Sequence, residues 1–172
     1  MSNLFAANLW RFLGILAAQV LVFKQASEAI GPYFNVFLYP LLLLLLPMVI
    51  PTALAVLIGF ALGIVVDFFY ATPGVHAGAS VFSAFCRPLL LAAFEPKGGY
   101  SGKDPIASPH HVGWQNFLQI AGVFFFLHLF WYFAMTEFTL VYFGSILLRT
   151  VASLLISVLL LVIYMGLFRT KT

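Results

Sequence analysis

Charged side chains are scarce in this sequence. Of its 172 residues, only 8 are Lys or Arg and 5 are Asp or Glu, so that 8% of the chain is charged. Water-soluble domains usually carry about 25% charged residues, because polar groups must cover the surface that faces water. So few charges exclude a water-soluble globular protein and indicate that a lipid bilayer is the main solvent of the chain.

Cysteine is nearly absent as well. Cys86 is the single cysteine, which excludes a disulfide within the chain and any metal site built from several cysteines. We expect Cys86 to pack in a helix as a small, apolar-like residue. No Lys or Arg precedes the first apolar stretch, so we expect an uncleaved first helix and not a cleaved signal peptide.

Apolar residues make up 63% of the chain, and the mean hydropathy is +1.09. Spanning the hydrocarbon of a bilayer takes about 20 mostly apolar residues. The apolar segments predict an all-α integral membrane protein, in which residues 1–172 form one domain of six transmembrane helices. The predicted helices are Leu4–Phe23, Phe34–Leu46, Thr52–Tyr70, His76–Phe94, Trp114–Ala134 and Val141–Phe168.

The second of these helices, Phe34–Leu46, is short, and its leucine run ends at Pro47. It either extends through Ile50, tilts, or forms a re-entrant segment. The charges, glycine and proline of the preceding stretch KQASEAIGPY predict a loop. After the turn between the prolines at 47 and 51, Thr52 is a candidate N-cap, because its hydroxyl can accept a hydrogen bond from a free backbone N–H.

Lysines and arginines are distributed unevenly over the predicted loops. One side of the membrane holds Arg11 near the first helix, and it also holds Lys97, Lys103, Arg169 and Lys171. The other side holds Lys24 alone, opposed by Glu28 and Glu137. Because cytoplasmic loops carry an excess of Lys and Arg, we expect both termini of this multi-pass protein in the cytoplasm. The net charge of +3 reflects that bias and does not indicate nucleic-acid binding.

Ionisable side chains within apolar segments need an account, because each costs several kcal/mol in a membrane unless it is paired or hydrated. Asp67, His128 and Arg149 fall at similar predicted depths, and Arg149 is long enough to reach Asp67. His76 begins the fourth predicted helix. These groups either form structural ion pairs that fix helix packing, or bind a partner or a lipid headgroup, or carry catalysis or a proton relay. No nucleophile–base pattern accompanies them.

Arg87 lies deeper in its predicted helix and directly precedes Pro88. It either binds the carbonyls that the proline frees from the helix ladder or extends toward the cytoplasmic headgroups. Gly59 and Gly63 form a small-xxx-small pair, which lets another helix approach closely. That helix belongs either to the same bundle or to a partner protein.

Two adjacent histidines, His110 and His111, lie in the one long polar stretch. Histidines bind metals, but no further ligands are apparent in the sequence, and a phosphate-binding glycine loop is missing. We therefore predict no metal site, no cofactor and no enzymatic activity.

One block of the sequence resembles a known family. The stretch FLYPLLLLLLPMVIP is followed by GFALGIVVDFFYATPGVHAGASVFSAFCRP, in which a glycine-spaced helix ends in Asp and aromatics and the next helix ends in Arg-Pro. This order of residues is similar to that of the rod shape-determining protein MreD family. PKGGYSGKDP, the fifth helix with His128, and LLRT with Arg149 also resemble that family. The likeness covers most of the chain, and its most specific part is Gly59–Pro88.

The resemblance implies a non-catalytic component of the bacterial cell-elongation complex, located in the cytoplasmic membrane with MreC. Members of that family help to connect MreB filaments to the peptidoglycan synthases, RodA and its partner transpeptidase. The resemblance also implies the six-helix architecture of the substrate-binding subunits of vitamin transporters, and a small-molecule-binding subunit of that type is the alternative function. The family pattern falls on seven positions of this chain, whose separate roles it leaves open: Gly59, Gly63, Asp67, Gly74, His76, Arg87 and Pro88.

Overall fold

A computed structural model of the chain describes residues 10, 12–31, 33–96, 99–100 and 106–168. This part of the chain is all-α and contains no sheet. Its helices are α1 (Phe12–Ile30), α2 (Pro40–Leu44), α3 (Thr52–Tyr70), α4 (Val75–Ala93), α5 (Pro109–Val112), α6 (Trp114–Glu137) and α7 (Phe143–Leu167), with a 3-10 turn at Leu140–Tyr142. Five of them, α1, α3, α4, α6 and α7, are long and apolar enough to cross a membrane, which makes this a multi-pass membrane protein by helix length and hydropathy.

The third predicted helix, Thr52–Tyr70, has the bounds of α3. The predicted fourth, fifth and sixth helices correspond to α4, α6 and α7, with ends that differ by at most three residues. The predicted N-cap at Thr52 is wrong. Thr52 is the first helical residue, its side chain makes no capping hydrogen bond, and Pro51 in extended conformation stands before it.

The first helix continues further than its sequence predicts. The loop predicted to begin at Lys24 is helical as far as Ile30, after a π-helical turn at Gln19–Phe23. Lys24 and Glu28 form a salt bridge of 3.4 Å one turn apart, and the Ser27 hydroxyl donates to the carbonyl of Phe23 at 2.8 Å. Local pairing of this kind stabilises a polar helical turn, which explains why these charges do not end the helix.

The second predicted helix, Phe34–Leu46, is not formed, and the prediction of six transmembrane helices is wrong at this point. Residues 34–38 are extended, and only the five-residue α2 follows. The backbone N–H groups of the extended part donate hydrogen bonds to side-chain oxygens of α1 and α7. The pairs are Asn35 to Ser153 (2.9 Å), Val36 to Ser27 (2.9 Å), Phe37 to Ser157 (3.1 Å) and Leu38 to Gln19 (2.7 Å). Non-helical backbone is tolerated at membrane depth where protein groups satisfy it in this way.

This segment runs from one end of the bundle to the other. The Tyr33 ring faces the Arg149 guanidinium at 5.6 Å, beside the turns after α3 and α6. Pro47 forms an isolated antiparallel β-bridge with Ile106, which lies in the connection between α4 and α6. We call these the Ala71 end and the Pro47 end. Because the segment reaches the opposite end, it is not re-entrant.

The core lies where α4 packs against α3 and α6, with α7 on the far side of α6. Its largest fully buried side chains are aromatic and include Phe37, Tyr39, Phe117 and Phe124. The leucines of α2 are buried too, so that the leucine run belongs to the core. The charges that predict the orientation, Arg11, Lys97, Lys103, Arg169 and Lys171, lie outside the described residues.

Candidate functional site

Asp67 lies near the end of α3 and is 4% exposed. Its carboxylate accepts four hydrogen bonds: from the Thr72 hydroxyl (2.9 Å) and from the backbone N–H groups of Gly74 (3.1 Å), His76 (2.9 Å) and Ala77 (2.9 Å). The last two belong to the first turn of α4, where free N–H groups and the helix dipole favour a negative charge. Asp67 therefore does not pair with Arg149, although their predicted depths allow that pairing.

The turn between α3 and α4 brings these N–H groups to Asp67. Ala71 adopts a left-handed conformation with φ of 54°, and Gly74 follows with φ of 86°. Glycine carries no steric penalty at such a φ. Gly74 thus allows the chain to reverse direction between α3 and α4. Its role beside Asp67 is structural.

Gly59 and Gly63 face α4 and bring the two helices into contact. A Cβ atom on Gly63 would lie 2.3 Å from the Cα of Ala77, and one on Gly59 would lie 3.0 Å from the carbonyl oxygen of Ser80. The helix that approaches this small-xxx-small pair is therefore α4 of the same bundle and not a helix of a partner protein. The glycines and Asp67 join α3 to α4 along most of their length.

Arg149 pairs with an acidic residue other than Asp67. Its guanidinium donates to the Glu137 carboxylate at 2.6 Å, and both side chains are about one-fifth exposed, 23% and 22%. Glu137 is the last residue of α6, so this pair joins α6 to α7 at the Ala71 end. Of the alternatives open for Arg149, the structure thus has an ion pair between helices, with a partner that the sequence does not indicate.

His76 and His128 are brought together by Tyr39, and all three are completely buried. The hydroxyl oxygen of Tyr39 lies 3.0 Å from Nδ1 of His76 and 2.7 Å from Nε2 of His128. Nδ1 of His128 lies 2.9 Å from the hydroxyl oxygen of Ser83. We call this cluster the His–Tyr–His core.

The hydroxyl proton of Ser83 fixes the direction of the hydrogen bonds in the His–Tyr–His core. Ser83 donates its single hydroxyl proton to the carbonyl of Ala79 at 2.7 Å, so its contact with His128 uses the proton on Nδ1. A neutral imidazole then has a bare Nε2, which accepts from the Tyr39 hydroxyl. Tyr39 in turn accepts from Nδ1–H of His76. Nε2 of His76 remains as a buried acceptor without a partner among the described residues.

The catalytic or proton-relay alternative requires Asp67, His128 and Arg149 to converge. Asp67 binds the start of α4, His128 binds Tyr39 and Ser83, and Arg149 binds Glu137. Each of the three groups therefore has its own partners. Within the described ranges, no three His, Cys, Asp or Glu side chains come together as a metal site.

Arg87 is buried, with 3% exposure, and binds backbone carbonyls. Its Nε donates to Leu44 at 3.3 Å, and Nη2 donates to Leu46 and, at 3.4 Å, to Pro47. Of the two alternatives for Arg87, the structure has carbonyl acceptors, but they do not belong to the helix ladder broken by Pro88. The acceptors are the carbonyls at and after the end of α2, which no helical N–H satisfies.

Beside Arg87 lies a pocket of about 280 Å³ at the Pro47 end, which we call the Arg87 pocket. Its lining combines polar with apolar side chains: Met48, Ile50, Thr52, Ala55, Ala84, Arg87, Pro88, Leu91, Ala92, Glu95 and Tyr100. Partial burial raises the pKa of the Tyr100 phenol, and its hydroxyl donates to the carbonyl of Leu91 at 2.6 Å.

A larger groove of about 600 Å³ separates α1 from α7 near the Pro47 end, and we call it the α1–α7 groove. Its lining is almost entirely apolar: Trp10, Gly14, Ile15, Ala18, Phe23, Leu38, Leu160, Ile163, Tyr164, Leu167 and Phe168. Trp10 and Leu167 at its rim are 73% and 74% exposed. The groove is open on the outside of the bundle, where lipid or a partner helix has access to it.

Sequence analysis does not single out Tyr39, Ser83 or Gln19. A glutamine within an apolar helix, and serines four positions apart at Ser153 and Ser157, are the signals that point to polar contacts inside the bundle. Tyr39 gives no such signal, because an aromatic residue in a leucine-rich segment is typical of an apolar core.

Comparison with known proteins finds no matching family model, no matching curated protein and no matching solved structure. The likeness to the rod shape-determining protein family thus depends on the residues quoted above, chiefly Gly59–Pro88.

Proposed function

We propose that this chain is a non-catalytic membrane scaffold of the bacterial cell-elongation complex, as its resemblance to the MreD family implies. It would lie in the cytoplasmic membrane with both termini and the Pro47 end in the cytoplasm. Counting the segment between Tyr33 and Pro47, the part of the chain that the structure describes passes six times between the two ends. This even number agrees with termini on one side, and it keeps the six-pass layout that the resemblance implies.

The single observation that carries the proposal is the open α1–α7 groove. An apolar groove on the outside of a helical bundle is suited to the side chains of another transmembrane helix. Small residues at the contact let two helices approach closely, and Gly14 and Ala18 supply them here. The partner that this proposal names is the single transmembrane helix of MreC.

The interior of the bundle supports a scaffold role. Asp67 and Gly63 join α3 to α4, the Glu137–Arg149 pair joins α6 to α7, and buried aromatic residues fill the centre. These contacts hold the helices in one arrangement. A rigid outer surface of this kind is suited to positioning MreC relative to RodA, its partner transpeptidase and, directly or through MreC, the MreB filaments.

Blocking the groove tests the proposal. A Cβ atom on Gly14 would have no heavy atom within 4 Å, so Gly14→Trp fills the groove without a clash in the bundle. We expect recovery of MreC with the detergent-solubilised chain to fall about tenfold or more, since aromatic-sized obstacles remove central interface contacts. In a rod-shaped host depleted of the wild-type chain, this variant should leave the cells round.

The matched control is Gly144→Trp. Gly144 also has open space around its Cβ position, but it lies at the start of α7, at the Ala71 end. This variant should keep the rod shape and the recovery of MreC. Normal rods with Gly14→Trp, or normal rods after complete depletion, would overturn the proposal.

A small-molecule-binding subunit of the vitamin-transporter type is the second candidate, and the volume of the same groove favours it. Ligand pockets usually measure about 300–1,000 Å³, and the groove of about 600 Å³ lies in that range. This candidate predicts that a small ligand with a largely apolar body, other than lipid, co-purifies with the wild-type chain and is lost in Gly14→Trp. Mass spectrometry of denatured, purified protein distinguishes it from the scaffold, which should release lipid only.

A further inference from the structure

Arg87 is a buried cation for which the described residues provide no carboxylate partner. The described salt bridges join Lys24 to Glu28 and Arg149 to Glu137. Arg87 donates only to carbonyl oxygens, which carry partial and not full negative charge. A charge buried in this way is costly unless an opposite charge accompanies it.

The guanidinium also has donors to spare. It carries five N–H groups, and the carbonyls of Leu44, Leu46 and Pro47 take three of them through Nε and Nη2. Nη1 has no acceptor within the described part of the chain, and it is not fully buried. It therefore keeps accessible surface, and the cavity that Arg87 lines is the Arg87 pocket.

The position of the pocket indicates where an anion would come from. Arg87 precedes Ala93, the last residue of α4, by six positions, so it lies about 9 Å from that helix end. An arginine side chain extends toward the membrane surface from such a depth. Ala92 and Pro88 line the pocket and are exposed at its mouth, while the buried Leu91 forms an apolar wall.

We propose that the Arg87 pocket binds the phosphate of an anionic phospholipid headgroup at the Pro47 end of the bundle. The free Nη1 donors contact the phosphate oxygens, and the apolar wall contacts the glycerol and the start of the acyl chains. Arginine is suited to this role, because its planar fork matches phosphate geometry and stays charged. The proposal does not depend on the scaffold function.

Lipid retention tests the proposal with the full chain. The protein is purified in detergent, incubated with equal amounts of phosphatidylglycerol and phosphatidylcholine, and examined by native mass spectrometry. We expect wild-type protein to retain phosphatidylglycerol preferentially. Arg87→Gln should lose this preference about tenfold, the value of one charge-assisted hydrogen bond. Lys24→Gln, which removes an equal charge from a site outside the pocket, should keep it.

Two further variants keep the test decisive if Arg87→Gln does not fold. Ala92→Trp closes the mouth of the pocket and leaves the carbonyl contacts of Arg87 in place, so it should lose the preference too. Glu95→Gln removes the carboxylate that lines the same pocket, so this variant should strengthen the preference for phosphatidylglycerol. An unchanged preference in folded Ala92→Trp would overturn the proposal.

Inorganic phosphate separates a lipid from a free ion. Thermal unfolding of delipidated protein should shift upward with phosphatidylglycerol and stay unchanged with millimolar inorganic phosphate. An equal shift with both would assign the pocket to free phosphate and overturn the lipid proposal.

Discussion

The carboxylate of Asp67 accepts a hydrogen bond from the backbone N–H of Ala77, with 2.9 Å between Oδ2 and the nitrogen. The acceptor lies near the end of one membrane helix, and the donor lies in the first turn of the next. A negative charge at this place satisfies free N–H groups and is favoured by the helix dipole. Asp67 thus fixes the α3–α4 hairpin.

Replacing Asp67 by Asn should destabilise the bundle. The amide can accept through one oxygen only, and its NH2 group would face the N–H groups that the second carboxylate oxygen now accepts. We expect a loss of about 2–4 kcal/mol, because hydrogen bonds to charged groups contribute about 1.5–3 kcal/mol each. Thermal unfolding in detergent measures it. Glu28→Gln, which removes an exposed carboxylate, is the control, and an equal shift in both variants would contradict the capping role.

Gly63→Ala should separate α3 from α4. The added Cβ would meet backbone atoms of Ala77 at 2.3 Å, and backbone cannot move aside cheaply. We expect a loss of about 2–3 kcal/mol, typical of overpacking. Gly78→Ala is the matched comparison, because its Cβ would meet the flexible end of Met135 at 2.6 Å. A smaller loss in Gly63→Ala than in Gly78→Ala would contradict the assigned contact.

Tyr39→Phe should leave two buried histidine nitrogens without partners. The variant removes the hydroxyl that accepts from Nδ1 of His76 and donates to Nε2 of His128. We expect a loss of about 2–4 kcal/mol, because an unsatisfied buried polar group costs about 1–3 kcal/mol. Unfolding measures the loss, with Tyr142→Phe at the exposed Ala71 end as the control.

The same core makes a second, independent prediction. Nitrogen NMR of labelled wild-type protein should find both histidines neutral and protonated at Nδ1. A proton on Nε2 of His128 would contradict the hydrogen-bond directions derived from Ser83.

Ser157→Ala should destabilise the extended segment before α2. The backbone N–H of Phe37 would lose its acceptor in a buried site, at a cost of about 1–3 kcal/mol. Thr150→Val is the matched control, since Thr150 is equally buried in α7 but donates only to the carbonyl of Ile146 in its own helix. Equal losses in the two variants would show that the segment does not need the serine.

Sequence patterns predict α3, α4, α6 and α7 well, because each is a continuous apolar run between breaks, whereas α1 continues through a polar stretch that predicts a loop. Thr52–Tyr70 lies between Pro51 and the Ala71–Gly74 turn, and its bounds follow directly. Phe34–Leu46 fails because the same apolar composition suits a membrane helix and a buried segment. What distinguishes the two is the acceptors on Gln19, Ser27, Ser153 and Ser157, which lie up to 120 positions away along the chain.

The ionisable members of the candidate site are predicted, whereas their contacts and the partners Tyr39 and Ser83 are not. Depth along the helices places Asp67 and Arg149 in one band, but depth says nothing about direction around a helix axis. Asp67 has nearer partners in the turn that follows it, and Glu137 is closer to Arg149. For Arg87, the kind of partner is predictable because a lone arginine needs acceptors, whereas the carbonyls concerned become free only where α2 ends.

The extended segment also sets an order of assembly. Its backbone N–H groups at Asn35 and Phe37 donate to serines of α7, which follow them by 118 and 120 positions in the sequence. Until α7 is present, hydrocarbon offers those groups no acceptor. The chain between Tyr33 and Pro47 therefore reaches its final place only after α7 has been synthesised, so that this segment settles late although it precedes four of the membrane helices.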